Sequence, residues 1–335
     1  MFSRRSAWVT EASPLALAIA DARRRGAPLL DLTIANPSAV GLRHPPELYA
    51  ALGDPDDAAY EPLAFGLPAA REAVANHYRG RGVALDVASI CLSASTSEAY
   101  AHLLALLADP GDALLVPSPS YPLLRYLADL ADLELVPYRL AFDGAWHVDL
   151  GDLRAQLDAT PRARAIVAIA PNNPTGNYLS DHEIAALDEL AAARRLALIV
   201  DEVFHEFPVD DRPHRGPLEG PRGALTFTLG GLSKLAALPQ LKLAWTITSG
   251  PPTLMHPALE RLEVIADTFL SATTAVQRAA PAIFAATPAI QADPPAPPGQ
   301  PRDPRAGGRG HRDHPPAGRG RLDGAPPPPA PRRSR

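Results

Sequence analysis

Lysine is nearly missing from this chain. Of 32 basic residues only Lys234 and Lys242 are lysines, and the rest are arginines. Chemistry that needs a side-chain primary amine therefore has two candidates. Cysteine is scarcer still: Cys91 stands alone, which excludes an internal disulfide and fits a reducing, cytoplasmic compartment. No apolar run reaches the roughly 18–20 residues of a membrane-crossing helix, so no membrane contact is expected. The chain also lacks Gly-x-Gly-x-x-Gly after a strand and Gly-x-x-x-x-Gly-Lys-Ser/Thr, so dinucleotide and P-loop nucleotide readings have no fingerprint. A net charge of −5 offers no basic excess for nucleic acid.

What is present is ample for a large core: 335 residues, 46% of them hydrophobic. The charge is unevenly spread. Residues 291–335 carry nine arginines and four aspartates, with 13 of the 39 prolines and one large aliphatic residue, Leu322. Such a stretch buries too little surface to offset its ordering entropy and reads as a disordered tail over 289–335. At the other end, the apolar run after Arg4 and Arg5 is short and stops at Asp21. It reads as a first helix rather than a secretory signal, with Ser13 as N-cap, Pro14 at the first position and Gly26 past the end.

Between these ends, short apolar runs alternate with longer amphipathic ones. Strands are expected at 29–33, 89–92, 113–116, 133–137, 165–170, 196–200, 224–228 and 242–248. Helices are expected at 68–78, 97–108, 122–130, 150–157, 181–193, 253–267 and 275–286. The alternation predicts an α/β fold with a mostly parallel central sheet, whose ligand sits at the carboxyl ends of the strands.

Five segments fall at such ends. Lys234 follows the 224–228 strand among small and apolar residues; a desolvated lysine there can attack a carbonyl, although the ordinary reading of a lone lysine is a surface one. Asp201 and Glu202 close the 196–200 strand, where a carboxylate can hold a protonated pyridine nitrogen, ligate a metal or act as a base. No histidine or cysteine cluster supports the metal reading. Asn173, Pro174, Thr175 and Gly176 make a turn whose Asn amide can donate to a phenolate. Ser95, Thr96 and Ser97 open a helix, and serve equally as an anion site or an N-cap with Glu98 in the first turn. Tyr121, flanked by prolines, can stack on a planar ring.

In order and spacing these segments resemble the class I/II aminotransferases of the fold-type I pyridoxal-phosphate enzymes. The matching residues are Tyr60 with 66–71, then 93–99, Pro119 to Tyr121, Asn173 to Gly176, Asp201 to Phe204, and Ser233 and Lys234 with Pro239 and Lys242. The resemblance covers about 28–290 and implies a three-layer α/β sandwich. It implies pyridoxal 5'-phosphate as cofactor, bound by Lys234, with Lys234 also the base. Asp201 would pair with the pyridinium nitrogen, Asn173 would donate to the phenolate oxygen and Tyr121 would cover the ring. Ser95, Thr96, Ser97, Ser233 and Lys242 would surround the phosphate. Asn36 and Asn173 would face substrate, and Tyr60 would reach the neighbouring subunit of a homodimer. The substrates implied are an amino acid and a 2-oxo acid. An N-terminal arm with part of a small domain is expected over 1–45, and the cofactor-binding large domain over 46–288.

The departures are specific. Phe204 stands where the family usually has a tyrosine that donates to the phenolate oxygen, and phenylalanine has no donor. Ser95 replaces a usual glycine, and Lys242 an arginine. The family's C-terminal small domain, source of an arginine for the substrate carboxylate, has no counterpart in the tail. A frame change in a GC-rich gene would account for that. A carbon–sulfur lyase or decarboxylase of the same fold, and a truncated cofactor-binding protein without turnover, remain as alternatives.

Overall fold

The computed structural model describes residues 1–30, 37, 44–53, 60–208 and 214–292. Asn36, most of the strand expected at 29–33 and the chain from 293 onward lie outside the described residues; Leu29 and Leu30 belong to no regular element. The strands are β1 (Ile90–Ser93), β2 (Ala113–Ser118), β3 (Glu134–Phe142), β4 (Trp146–Val148), β5 (Ala163–Ile169), β6 (Ala197–Asp201), β7 (Thr226–Gly231) and β8 (Ala244–Ser249). They form one sheet in the order β1-β8-β7-β6-β5-β2-β3-β4. The ladders β7/β6, β6/β5, β5/β2 and β2/β3 are parallel; β8 runs antiparallel to both neighbours and β4 antiparallel to β3. The expected α/β fold with a mostly parallel sheet is what forms.

Among the described residues ten α-helices accompany the strands: α1 (Pro14–Arg24), α2 (Pro46–Ala50), α3 (Pro68–Gly80), α4 (Thr96–Leu107), α5 (Leu123–Leu130), α6 (Leu150–Ala159), α7 (Asp181–Arg194), α8 (Leu232–Leu235), α9 (Pro252–Phe269) and α10 (Thr274–Ala292). Alternate residues of β6 show why there are three layers. Leu198 and Val200 pack with Leu153 of α6 and Leu187 of α7. Ala197 and Ile199 pack with Leu103 of α4 and Leu124 of α5. A strand covered on both faces reads as a continuous apolar run, which is how β5 and β6 stand out in the sequence. Further along the sheet, α3 and α10 close over Trp245 and Ile247 of β8. No described helix is long and apolar enough to cross a membrane.

The first helix forms as read: the Ser13 hydroxyl accepts from Ala16 N at 3.1 Å, Pro14 opens it, and Gly26 follows at φ +66°. Among the elements that differ from expectation, β7, β8, β4 and α10 do so for physical reasons. β7 runs later than 224–228 because Gly230 and Gly231 belong to it; a Cβ at Gly230 would come within 2.5 Å of Trp245 Nε1. β8 starts after Lys242, whose φ of +57° cannot belong to a strand. The three-residue β4 is too short to show an alternation, although the Asp143 and Gly144 pair before it is a hairpin signal. α10 passes through Pro281 and Pro288 to Ala292, beyond the expected tail start at 289, because Ile290 is buried against the core. That burial and the Gln291 Nε2 bond to Leu235 O at 2.9 Å offset the missing helix bonds.

The N-terminal segment lies across α5. Trp8 Nε1 donates to Asp129 Oδ2 at 2.7 Å, and Arg5 Nη1 to Leu130 O at 3.2 Å. The Trp8 ring meets Tyr126 edge-on at 5.3 Å.

Gly250 links β8 to α9 at φ +125°, where a Cβ would lie 2.4 Å from the Ala224 carbonyl oxygen. Backbone of the bend leading into β7 presses on it, so Gly250→Ala should cost about 3 kcal/mol, lowering Tm by roughly 6–12 °C. Gly80 in α3 has open space and an ordinary φ, and Gly80→Ala serves as the control, neutral or slightly stabilising. Equal melting of the two variants would show that the close approach is absent.

Candidate active site

Parallel strands end on the same side, and the doubly antiparallel β8 returns β1 to that direction as well. The segments after β1, β2, β5, β6 and β7 therefore converge at one edge of the sheet. They enclose a cavity of about 200 Å³ lined by Thr96, Tyr121, Asn173, Asp201, Ser233 and Lys234, among others.

Lys234 is positioned by the short α8. Leu232 and Leu235 on either side of it are buried, and Leu232 N donates to Leu243 O at 2.9 Å, pinning α8 to the strand start opposite. Burial lowers the lysine's pKa from its ordinary value. Its Nζ lies 5.2 Å from the centre of the Phe204 ring, a cation–π contact where a tyrosine hydroxyl was the family's usual feature.

Asp201 is the last residue of β6 and is 7% exposed. One carboxylate oxygen accepts from Val203 N at 3.0 Å. Among the described residues no cation pairs with it. Burial accordingly pushes its pKa up to about 6, against the Val203 and Tyr100 interactions, which hold it down. The Tyr100 hydroxyl beside it is buried without a well-formed hydrogen bond. A buried carboxylate lacking a positive partner and a neighbouring orphaned hydroxyl, both facing a cavity, are what a site for a cationic ring nitrogen requires.

Ser95 caps α4: its Oγ accepts from Glu98 N at 3.2 Å, and Glu98 Oε2 reaches back to Ala94 N at 2.7 Å. The helix has no acceptor of its own for the N–H groups of Thr96 and Ser97, and Thr96 lines the cavity, so the capping and anion-site readings coexist. Tyr121 lines the cavity and is 54% exposed. Ser95, Ser97 and Lys242 are not among the lining residues, and Lys242 is exposed. Tyr60 is 68% exposed and borders a separate pocket with His102 and Gln277.

Sequence reasoning missed Tyr100 and the apolar wall of Leu123, Leu124 and Leu127 from α5, although the latter's spacing on an amphipathic helix was a usable signal. It also gave no separate place to Glu202. This buried residue belongs to a second charged cluster: Oε2 is 3.8 Å from Arg81 Nη1 and Oε1 is 3.5 Å from His205 Nδ1. Glu206 meets His77 at 3.2 Å and Arg81 at 3.5 Å. No group of three or more His, Cys, Asp or Glu among the described residues is arranged to hold a metal.

The family model described as aminotransferase class I and II matches residues 46–293. Glutamate-pyruvate aminotransferase AlaA of Escherichia coli K12 is 32% identical over 76% of this chain and 63% of its own length. Alanine aminotransferase of Mycobacterium tuberculosis is 30% identical over 75% of this chain and 59% of its own. The chain thus spans about three-fifths of the length of these curated relatives. Among solved structures, an aminotransferase from Escherichia coli superposes with a TM-score of 0.75 at 30% identity, covering 87% of this chain and 72% of that one. Alanine aminotransferase from Pyrococcus furiosus superposes at 0.77 and 25% identity, with 87% and 75% covered.

Burial raises Glu202 from 4.5 to about 7, with the Arg81 charge opposing and the Glu206 charge adding. A carboxyl raised in the folded state stabilises the fold below its unfolded value and loses that contribution as pH climbs through the folded one. Stability should therefore fall between about pH 4.5 and pH 7 by on the order of 3 kcal/mol from this group. Glu202→Gln should flatten that part of the profile, read as urea midpoints at pH 5 and pH 8. An unchanged slope would assign the pH dependence to other groups.

Proposed function

Because this chain belongs to the class I and II aminotransferase family, we propose that it moves an amino group between an L-amino acid and a 2-oxo acid, with pyridoxal 5'-phosphate held by Lys234. The observation that carries the reading is the pair lining one cavity: a half-buried amine with a lowered pKa, and a buried carboxylate with no cation among the described residues. When bound, the cofactor supplies an electron sink for the carbanion left when the amino acid's α-carbon loses its proton.

The chain's own residues do the rest. Lys234 would hold the cofactor through its aldehyde carbon, and its amine, once displaced by substrate, would take up and return the α-proton. Its lowered pKa increases the neutral fraction that can do so. Asp201 would keep the proton on the ring nitrogen. Asn173 would donate to the phenolate oxygen, and Tyr121 would cover one ring face. The N–H groups and hydroxyls at the start of α4, Ser95 to Ser97, with Ser233 would take the phosphate. Lys242 would have to move toward the cavity to join them. The names of the relatives make alanine and glutamate the first donors to test, with pyruvate and the corresponding 2-oxo acid as acceptors.

We further read residues 46–288 as the cofactor-binding domain and the protein as a cytoplasmic homodimer in which exposed Tyr60 serves the partner's site, without nucleic acid or membrane as partner. Asn36 would approach the substrate.

Adding pyridoxal 5'-phosphate should give a coloured protein whose borohydride-reduced adduct maps to Lys234 by mass spectrometry; Lys234→Ala should stay colourless. Asp201→Asn should keep the colour and slow amino transfer about a hundredfold or more. An adduct elsewhere sinks the reading, and ammonia or carbon dioxide release without amino transfer turns it to a lyase or decarboxylase. Colour with no turnover leaves a cofactor-binding protein. Phe204→Tyr restores a donor to the ionised phenolate, so the pH midpoint of the bound cofactor's absorbance should drop by about one unit. No shift would mean that position 204 does not address that oxygen.

A further inference from the structure

Asn172 stands just ahead of the turn at Asn173–Gly176, and every polar group of its side chain is bonded. It is 3% exposed. Its Nδ2 donates to Pro119 O at 3.0 Å and to Thr175 Oγ1 at 2.7 Å. Its Oδ1 accepts from Ser120 Oγ at 3.1 Å. Its main chain closes the turn as well: the N–H donates to Asn177 O at 3.0 Å, and the carbonyl accepts from Gly176 N at 2.7 Å. Both amide protons and the amide oxygen are thereby used, and no other uncharged residue type offers this donor and acceptor set on so short a stem.

The partners belong to two different loops. Pro119 and Ser120 follow β2, whereas Thr175 and Asn177 belong to the turn after β5. β2 pairs with β5 over Ala113–Leu115 and Ala163–Ile166, with a register shift after Ala113, and beyond that stretch no ladder bond ties the two loops together. The Asn172 side chain is the bridge that does. Each loop then delivers one residue to the cavity directly after its clamped residue: Tyr121 after Ser120, and Asn173 after Asn172 itself.

We propose that Asn172 is a positioning residue that sets Tyr121 and Asn173 at a fixed separation, so that the ring-covering side chain and the phenolate donor address one bound ring together. This rests on the cofactor reading above and adds to it a residue that touches neither cofactor nor substrate.

Asn172→Asp keeps the shape but replaces two donors with acceptors, setting a carboxylate against the Pro119 carbonyl. Ser120→Ala removes one bond of the bridge, whereas Thr175→Ala removes the bond that orients the Asn172 amide within its own turn together with the Thr175–Asn177 bond; both leave the turn's main chain intact. The measurements are the pyridoxal 5'-phosphate dissociation constant, the pH midpoint of the bound cofactor's absorbance, and the melting temperature of the cofactor-free protein. Asn172→Asp should bind the cofactor about tenfold more weakly and raise the midpoint, because Asn173 no longer favours the ionised phenolate. Ser120→Ala and Thr175→Ala should move both quantities the same way by smaller factors. Variants that melt earlier yet keep the wild-type dissociation constant and midpoint overturn the proposal, since the bridge would then serve folding alone. If Asn172→Asp does not fold, the two alanine variants decide, and wild-type values in both overturn it. Wild-type protein that binds no cofactor overturns the cofactor reading and this proposal with it, whereas normal binding by wild type and variants alike overturns the proposal only.

Discussion

A carboxylate taken out of water without a cation is a cost that a fold does not accept idly, and among the described residues Asp201 has none. It gets one backbone N–H, from Val203, and a buried hydroxyl beside it. Burial lifts its pKa to about 6, well above the usual carboxylate range. Filling the position with an apolar residue would make a steadier protein. What the charge secures is a place where a positive ring nitrogen is worth more than it would be in water. The rest of the architecture can be understood as arranging other groups at fixed distances from this one.

The sheet provides those distances. β6 carries Asp201 to its last position, β7 hands directly to α8 and Lys234, and β8 turns back to lock α8 at Leu243. The carboxylate thus ends β6, and the amine sits in the short helix that follows its parallel neighbour β7. Tyr121 and Asn173 sit on loops, where the frame ends and side-chain bonding by Asn172 takes over.

Legibility in the sequence followed the same division. Strands buried on both faces were plain from their apolar runs, and Lys234 was plain because lysine is so rare here. The cap at Ser13 and the stop at Gly26 were readable because their signals are local. β4, α8 and the last turn of α10 were not, since three- and four-residue elements have no period and two prolines argue against a helix that only Ile290 and Gln291 sustain. Gly230 lies beyond the strand expected at 224–228; the close approach that keeps it a glycine in β7 comes from Trp245, fifteen residues downstream. Asn172, Tyr100 and the Glu202 cluster depend on which loops meet in space, and no spacing in one chain encodes that.

The helix that walls the cavity with Leu123, Leu124 and Leu127 is gripped from outside by Trp8 and Arg5. Its two sides thereby answer to different parts of the chain. An affinity tag or fusion partner joined ahead of Phe2 would pull on that grip, and with it on the lining of the pocket. Recombinant material is better handled by its other end, or with the leader cleaved, if the protein's solution behaviour is to reflect its own chain.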